Sequence, residues 1–144
     1  IGEKTAVELR RELSELGASA LVEVLASPEL LTHPWPQVGE ATYAEKLTKE
    51  TFHLEPSMTV ALASRIVRLG GAHMFVDGKR IAVMGWSRSD GNVEPGVVTV
   101  DDRGVVVGFA DGVLVLDDVR PEGSSTMDAR SWWRGLRRER LSWS

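Results

Sequence analysis

The spacing of apolar positions changes once along this chain, near Gly71, from helical to strand-like. Thr5 and Glu8 stand three residues apart, the spacing of a capping box. Leu9, Leu13, Leu16, Ala20 and Val24 then recur at helical intervals, with Arg10, Arg11, Glu15 and Ser19 on the opposite face. Pro28 cannot continue the ladder and disfavours helix at Ser27, so the pattern predicts a helix over 1–26. SPELLTHPWPQVG (27–39) holds three prolines and no period. It predicts a stiff, extended linker with Trp35 pinned against a surface. Thr42–Leu47 alternates weakly, as a strand would. Ser57 is the predicted cap of a second helix with a stripe of Met58, Leu62, Ile66 and Leu69, stopped by Gly70-Gly71.

Beyond Gly71, HMFV and RIAVMGW flank Asp77-Gly78 and predict a hairpin. GVVTV, VVVGF and VLVLDDV follow, separated by turns at Asp101–Gly104 and Asp111-Gly112. Five short strands with Gly and Asp turns predict a mainly β fold with flanking helices, a small barrel rather than an open sheet. Thr126 or Asp128 caps a last helix through Trp132, Trp133 and Leu136.

Composition narrows this picture without redirecting it. With 144 residues, 42% hydrophobic and 26% charged, the chain has the makeup of one globular domain with a short appendage. It has no cysteine, which removes disulfides, thiolate metal sites and cysteine nucleophiles. No apolar run is long enough for a membrane span and no signal-peptide segment opens the chain, so a cytoplasmic protein with no membrane partner is expected. Ile1 stands where an initiator methionine would, and the expectation is a piece of a longer product. Residues 128–144 carry five arginines against Asp128 and Glu139, a local +3. The other 127 residues must then carry −7 for the net charge to be −4. An acidic body with a basic end points to a polyanion partner at the C-terminus, or to a plainly solvated helix face.

Candidate chemistry is sparse. His33, His53 and His73 lie 20 residues apart and form no ligand pair, so no metal site is expected. There is no GxSxG and no glycine-rich phosphate cradle. Asp101-Asp102 and Asp117-Asp118 are sequence neighbours, which on a strand point to opposite faces and cannot act on one bond. No catalytic residue is identified. Trp132 is read as core, and Trp133 either as core or as a base-stacking ring beside the arginines.

Several segments together resemble the methionyl-tRNA formyltransferase family. ATYAEKLTKE (41–50), preceded by Pro36-Gln37, is similar to the family's linker signature. Pro95-Gly96-Val97-Val98, Asp111-Gly112-Val113-Leu114 and Met127 before a capped helix follow in the family's order. The opening helix, with Leu16-Gly17-Ala18, resembles the last helix of the family's catalytic domain. The resemblance covers nearly the whole chain and implies a particular division. Residues 1–26 would be the terminal helix of an absent N-terminal formyltransferase domain, 27–41 the Pro-rich linker, and 42–144 an OB-like C-terminal domain.

The resemblance further implies that the parent uses 10-formyltetrahydrofolate, bound outside this chain, which itself holds no cofactor. The partners it implies are initiator tRNA and the protein's own N-terminal catalytic domain. The residues assigned to tRNA phosphates on this basis are Lys46, Lys49, Arg65, Arg68, Arg134, Arg137 and Arg138, with the last three expected on one face of the final helix. Departures are local. Gly123-Ser124-Ser125 stands where the family carries Gly followed by two basic residues, Arg65–Gly71 lacks the family's prolines, and His53-Leu54-Glu55 replaces Ile-Asp-Trp. Two other readings remain: a paralogue whose parent formylates a small amine or sugar nucleotide, and a non-catalytic interaction module.

Overall fold

The computed structural model describes residues 2–32 and 35–144, so the reading of His33 lies outside the described residues. Contacts group the chain into two compact units, Ile1–Leu47 and Thr48–Ser144. In the first, helix α1 (Ala6–Ala26) begins with the predicted capping box. Glu8 N donates to Thr5 Oγ1 (3.3 Å) and Thr5 N donates to the Glu8 carboxylate (2.8 Å). That backbone hydrogen bond holds the Glu8 carboxyl below the usual carboxylate range. The helix ends at Ser27, and a 3-10 turn follows over Pro28–Leu31. None of its residues is buried, and Leu13, Leu16, Leu21 and Leu25 are exposed.

Two expectations for the segment after it are corrected. Trp35 is 96% exposed rather than pinned against a surface. Thr42–Leu47 forms no strand. A short, weakly alternating run needs a partner edge to satisfy its backbone groups, and none pairs with it.

The second unit opens with a 3-10 turn over Glu50–Phe52, after which Leu54 N donates to His73 O (2.8 Å) and the Leu54 side chain is buried. Helix α2 spans Val60–Leu69 and is capped by Thr59 rather than Ser57. The cause is tertiary: the Asp111 carboxylate accepts from Val60 N (2.7 Å) while Thr59 Oγ1 accepts from Leu62 N (3.2 Å), which sets the first turn. The inward face is also rotated from the predicted stripe. Ala63, Ser64, Ile66 and Val67 are buried, whereas Leu62 and Leu69 are exposed.

The strands are β1 (His73–Val76), β2 (Lys79–Ser89), β3 (Val97–Asp101), β4 (Gly104–Phe109), β5 (Gly112–Pro121), β6 (Met127–Asp128) and β7 (Arg140–Ser142). The first five match the predicted runs; β6 and β7 were not read from the sequence. The β1–β2 hairpin turns on Asp77 (φ 50°) and Gly78 (φ 72°), the paired left-handed residues of a tight turn that fits strand twist. Neighbours run β1-β2-β5-β4-β3-β7, all antiparallel, with β6 added on β5. The register of β2 on β5 slips on either side of Gly85, which lets the eleven-residue β2 bend.

The two ends of this order meet. Phe75 N donates to Ser144 O (2.7 Å), Ser144 N donates to Phe75 O (2.9 Å), and Asp77 N donates to Ser142 O (3.1 Å). The sheet is thereby a nearly closed barrel with flanking helices. All six residues of β4 are buried, because both its faces are covered. Val105, Val107 and Phe109 enter the main core with Met74, Leu114, Val119, Trp132 and Trp143, while Val106 packs with Val113, Val115 and Val93 outside. Gly108 permits this cover, since a Cβ there would fall 2.3 Å from Glu94 O. Helix α3 (Ala129–Leu136), capped by Asp128 through Ser131 N (2.8 Å), inserts Trp132 and Trp133.

Trp143 fills the seam of the closure and meets Phe109 edge-on at 4.9 Å. Trp143→Ala should cost about 3–5 kcal/mol in chemical denaturation, and Trp143→Phe clearly less. Equal effects of the two would mean that the ring does not pack the seam. A second expectation concerns pH. Burial, then the charge of Arg80, lowers the His73 pKa from its ordinary 6.5. The unfolded chain therefore binds more protons than the folded one, and stability should fall as the pH drops below 6.5. In His73→Gln the denaturation midpoint should lose less between pH 7 and pH 5 than in the parent.

Candidate functional site

The described residues contain no group of three or more metal-ligating side chains. His53 and His73 do meet, stacked at 5.4 Å with Phe75 edge-on to both. Their buried His53 Nε2 and His73 Nδ1 have no hydrogen-bond partner among the described residues. The stacked imidazole pair joins the chain entering the barrel to β1 through a backbone bridge between the two residues. Trp133 is buried with Trp132 at a ring distance of 6.0 Å, which removes it as a base-stacking platform.

What the barrel unit offers is cationic side chains, and the structure sorts them. Several are engaged in the fold; Arg88 Nε, for one, donates to the buried Ser64 Oγ (3.4 Å). Arg103 Nε donates to the Asp101 carboxylate (2.9 Å), and its guanidinium holds that carboxyl below the usual range. Arg103 also donates to Asp90 O. Arg130 donates to Asp101 O (3.2 Å) and Asp102 O (2.6 Å), pinning α3 to the β3–β4 turn. Arg140 pairs with Glu94 at 2.5 Å.

The residues singled out from the sequence are scattered by comparison. Lys46 belongs to the first unit and is exposed. Lys49 is exposed before the 3-10 turn and lines a hollow with Phe52, His73, Arg80 and Glu122. Arg65 is exposed and Arg68 half-buried on α2. Arg134 is on α3 and donates to Ser131 Oγ (3.0 Å).

Arg137 and Arg138 do not lie on the helix, contrary to expectation. Arg137 takes the left-handed conformation (φ 52°) that ends α3, and Arg138 follows it. The chain must turn there to bring β7 beside β3, so helical spacing no longer relates these residues to Arg134.

Arg138 instead lines a cleft of about 840 Å³ between the β1–β2 hairpin, the turn after β5, and α3. Ser124 lines the same cleft, as do Lys79 and Arg80. Those two were missed in the sequence, although they directly follow the Asp77-Gly78 turn, where hairpin side chains stand clear of the core.

The comparisons agree with this architecture. Residues 46–137 match the family model described as "Formyl transferase, C-terminal domain". The chain is 39% identical over 138 residues to methionyl-tRNA formyltransferase of Thermus thermophilus, covering 92% of this chain and 45% of that protein. It is 33% identical over 143 residues to that of Corynebacterium glutamicum, with the same shares. The chain thus spans less than half the length of these curated relatives. Among solved structures, a variant of HypX from Aquifex aeolicus superposes with a TM-score of 0.69 at 18% identity, covering 96% of this chain and 27% of that one. HypX in complex with tetrahydrofolic acid superposes with a TM-score of 0.66, over 92% of this chain and 25% of that one. At that identity the likeness is one of fold. Sequence match and barrel together establish that this chain belongs to the formyl transferase C-terminal domain family.

Proposed function

We propose that this chain is the C-terminal, tRNA-holding portion of a cytoplasmic methionyl-tRNA formyltransferase-like protein. The parent formylates initiator Met-tRNA with 10-formyltetrahydrofolate, and the chemistry belongs to a domain outside these residues. The observation that carries this reading is the 39% identity to a methionyl-tRNA formyltransferase across 138 residues. The complex of HypX with tetrahydrofolic acid supports a folate donor for the parent. The task of the barrel is then geometric: to hold the tRNA so that its aminoacyl end reaches the other domain. Lys46, Lys49, Arg65, Arg68, Arg134, Arg137 and Arg138 are its candidate phosphate contacts, each acting as a charge-assisted donor to a backbone oxygen.

One observation favours a second reading. The chain is acidic overall, net −4, and Ser124-Ser125 leaves the turn after β5 without a cation. A paralogue acting on a small amine would need no polyanion contact there.

Titrating the 144-residue chain with fluorescent initiator tRNA at several salt concentrations separates the two. Weak, salt-sensitive binding is expected. Ser124→Lys with Ser125→Lys should tighten it and steepen the log–log salt slope by about 1–2, since each contact contributes roughly 0.7–0.9. No binding at low salt, with none restored by the lysines, would leave the small-amine reading standing. The chain alone should yield no formylated product from 10-formyltetrahydrofolate and Met-tRNA; turnover by it would place the chemistry in the barrel.

A further inference from the structure

Two side-chain nitrogens of one cluster are buried without a partner. His53 Nε2 and His73 Nδ1 are shut off from solvent and make no hydrogen bond among the described residues. A buried polar atom left unsatisfied is uncommon and calls for a physical reason. The two imidazoles stack at 5.4 Å and 15° from parallel, with the Phe75 ring edge-on at 5.5 and 6.0 Å. His53 also stands at one of the places where the sequence departs from the family's pattern.

The cluster lies at the entrance to the barrel, because the chain passes from the first compact unit to the second at Leu47–Thr48. The hydrogen bonds of the entering segment are local. Thr48 N donates to Thr51 Oγ1 (3.1 Å), while Phe52 N and His53 N donate to Lys49 O (3.2 Å) and Glu50 O (3.0 Å). A single turn of this kind does not hold by itself. Its side-chain grip on the barrel is the histidine stack together with Phe52, which lies over Gly71. Leu54, buried in the core with its N–H on His73 O (2.8 Å), is the firm point behind it.

The surroundings disfavour a charge on His73. Lys49 from the segment and Arg80 from β2 line a hollow with it, against one carboxylate, Glu122, from the turn after β5. Glu50 is engaged by Thr48, and β1 itself carries no charged side chain beside His73. A proton on Nδ1 would have no acceptor and would set a cation against His53 and beside Arg80. Burial, then Arg80, holds the His73 pKa below its ordinary 6.5.

We propose that the His53–His73 stack is a proton-operated latch on the segment that leads into the barrel. With His73 neutral it holds residues 48–53 on β1; with His73 protonated they come away as far as Leu54. The barrel itself persists, because its closure is made by Phe75, Asp77, Ser142 and Ser144. Each freed residue adds up to roughly 3.3–3.6 Å to the connection between the two units. The released form takes up the proton from about pH 6.5 downwards and the latched form only further down, so latching is full above 6.5 and weakens below it. None of this depends on which substrate the parent acts on.

Hydrogen exchange in the 144-residue chain, corrected for the intrinsic effect of pH, tests the latch. Between about pH 7.5 and 5.5 the protection of the Phe52 and His53 amides should fall several-fold. The limit is about tenfold, since one proton is taken up over one pH unit below 6.5. Over the same range β4 should keep its protection. His73→Phe keeps a ring in the stack and removes the titration, so its protection should not change with pH. Arg80→Gln should shrink the fall. The His73 ring-proton resonance of the parent gives a readout that needs no variant, and its titration midpoint should lie below 6.5. Unchanged protection in the parent, an equal fall in His73→Phe, loss in β4 in step with the segment, or a midpoint at or above 6.5 would each overturn the proposal.

Discussion

The backbone pairing of Phe75 with Ser144 joins the two ends of the strand order, and the rest of the barrel follows from that closure. Without it, β1 and β7 would each present a row of unpaired groups to solvent, and the interior would be open along one side. With it, Trp143 is drawn into the seam against Phe109, and the last residues of the chain become part of the core. The closure also dictates what precedes it. For β7 to reach β3 and then β1, the chain must leave α3 sharply, which it does through the left-handed Arg137. A small barrel thus depends on a three-residue strand at its very end.

The cleft is a product of the same geometry. Helix α3 is held by Asp128 at its start and by Arg130 on the β3–β4 turn, with Trp132 and Trp133 sunk into the core. The β1–β2 hairpin, which carries Lys79 and Arg80, is fixed by its pairing with the C-terminal residues. The hairpin residues Lys79 and Arg80 and, just past α3, Arg138 therefore line one cleft although they are far apart in sequence. In a chain of net −4, such a patch depends on where charges stand rather than on how many there are. The engaged arginines brace the scaffold on which the unpartnered ones are displayed.

Much of this was legible in the amino-acid sequence because it rests on local rules. The Thr5–Glu8 box, the stop at Pro28, the Asp77-Gly78 hairpin and the strand runs of β1–β5 are each decided within a few residues. Capping needs one hydroxyl, a tight turn needs left-handed residues, and a strand needs alternation or a continuous apolar run. The resemblance to a known family, carried by ATYAEKLTKE and the ordered matches after it, was likewise visible in residue order alone.

Other features depend on partners that residue order does not name. Helix α2 has apolar residues around most of its circumference, so sequence alone could not choose between Leu62 and Leu69 and the Ala63–Val67 face that the barrel buries. Its start moved from Ser57 to Thr59 because Asp111, from the β4–β5 turn, meets Val60 N. The three arginines expected on one helical face were separated by a turn made for β7. Lys79 and Arg80 come to line one cleft with Arg138 only in the folded barrel. Local propensity determined which elements form, while closure of the sheet, which pairs residues far apart in the chain, decided which faces are buried and which charges meet.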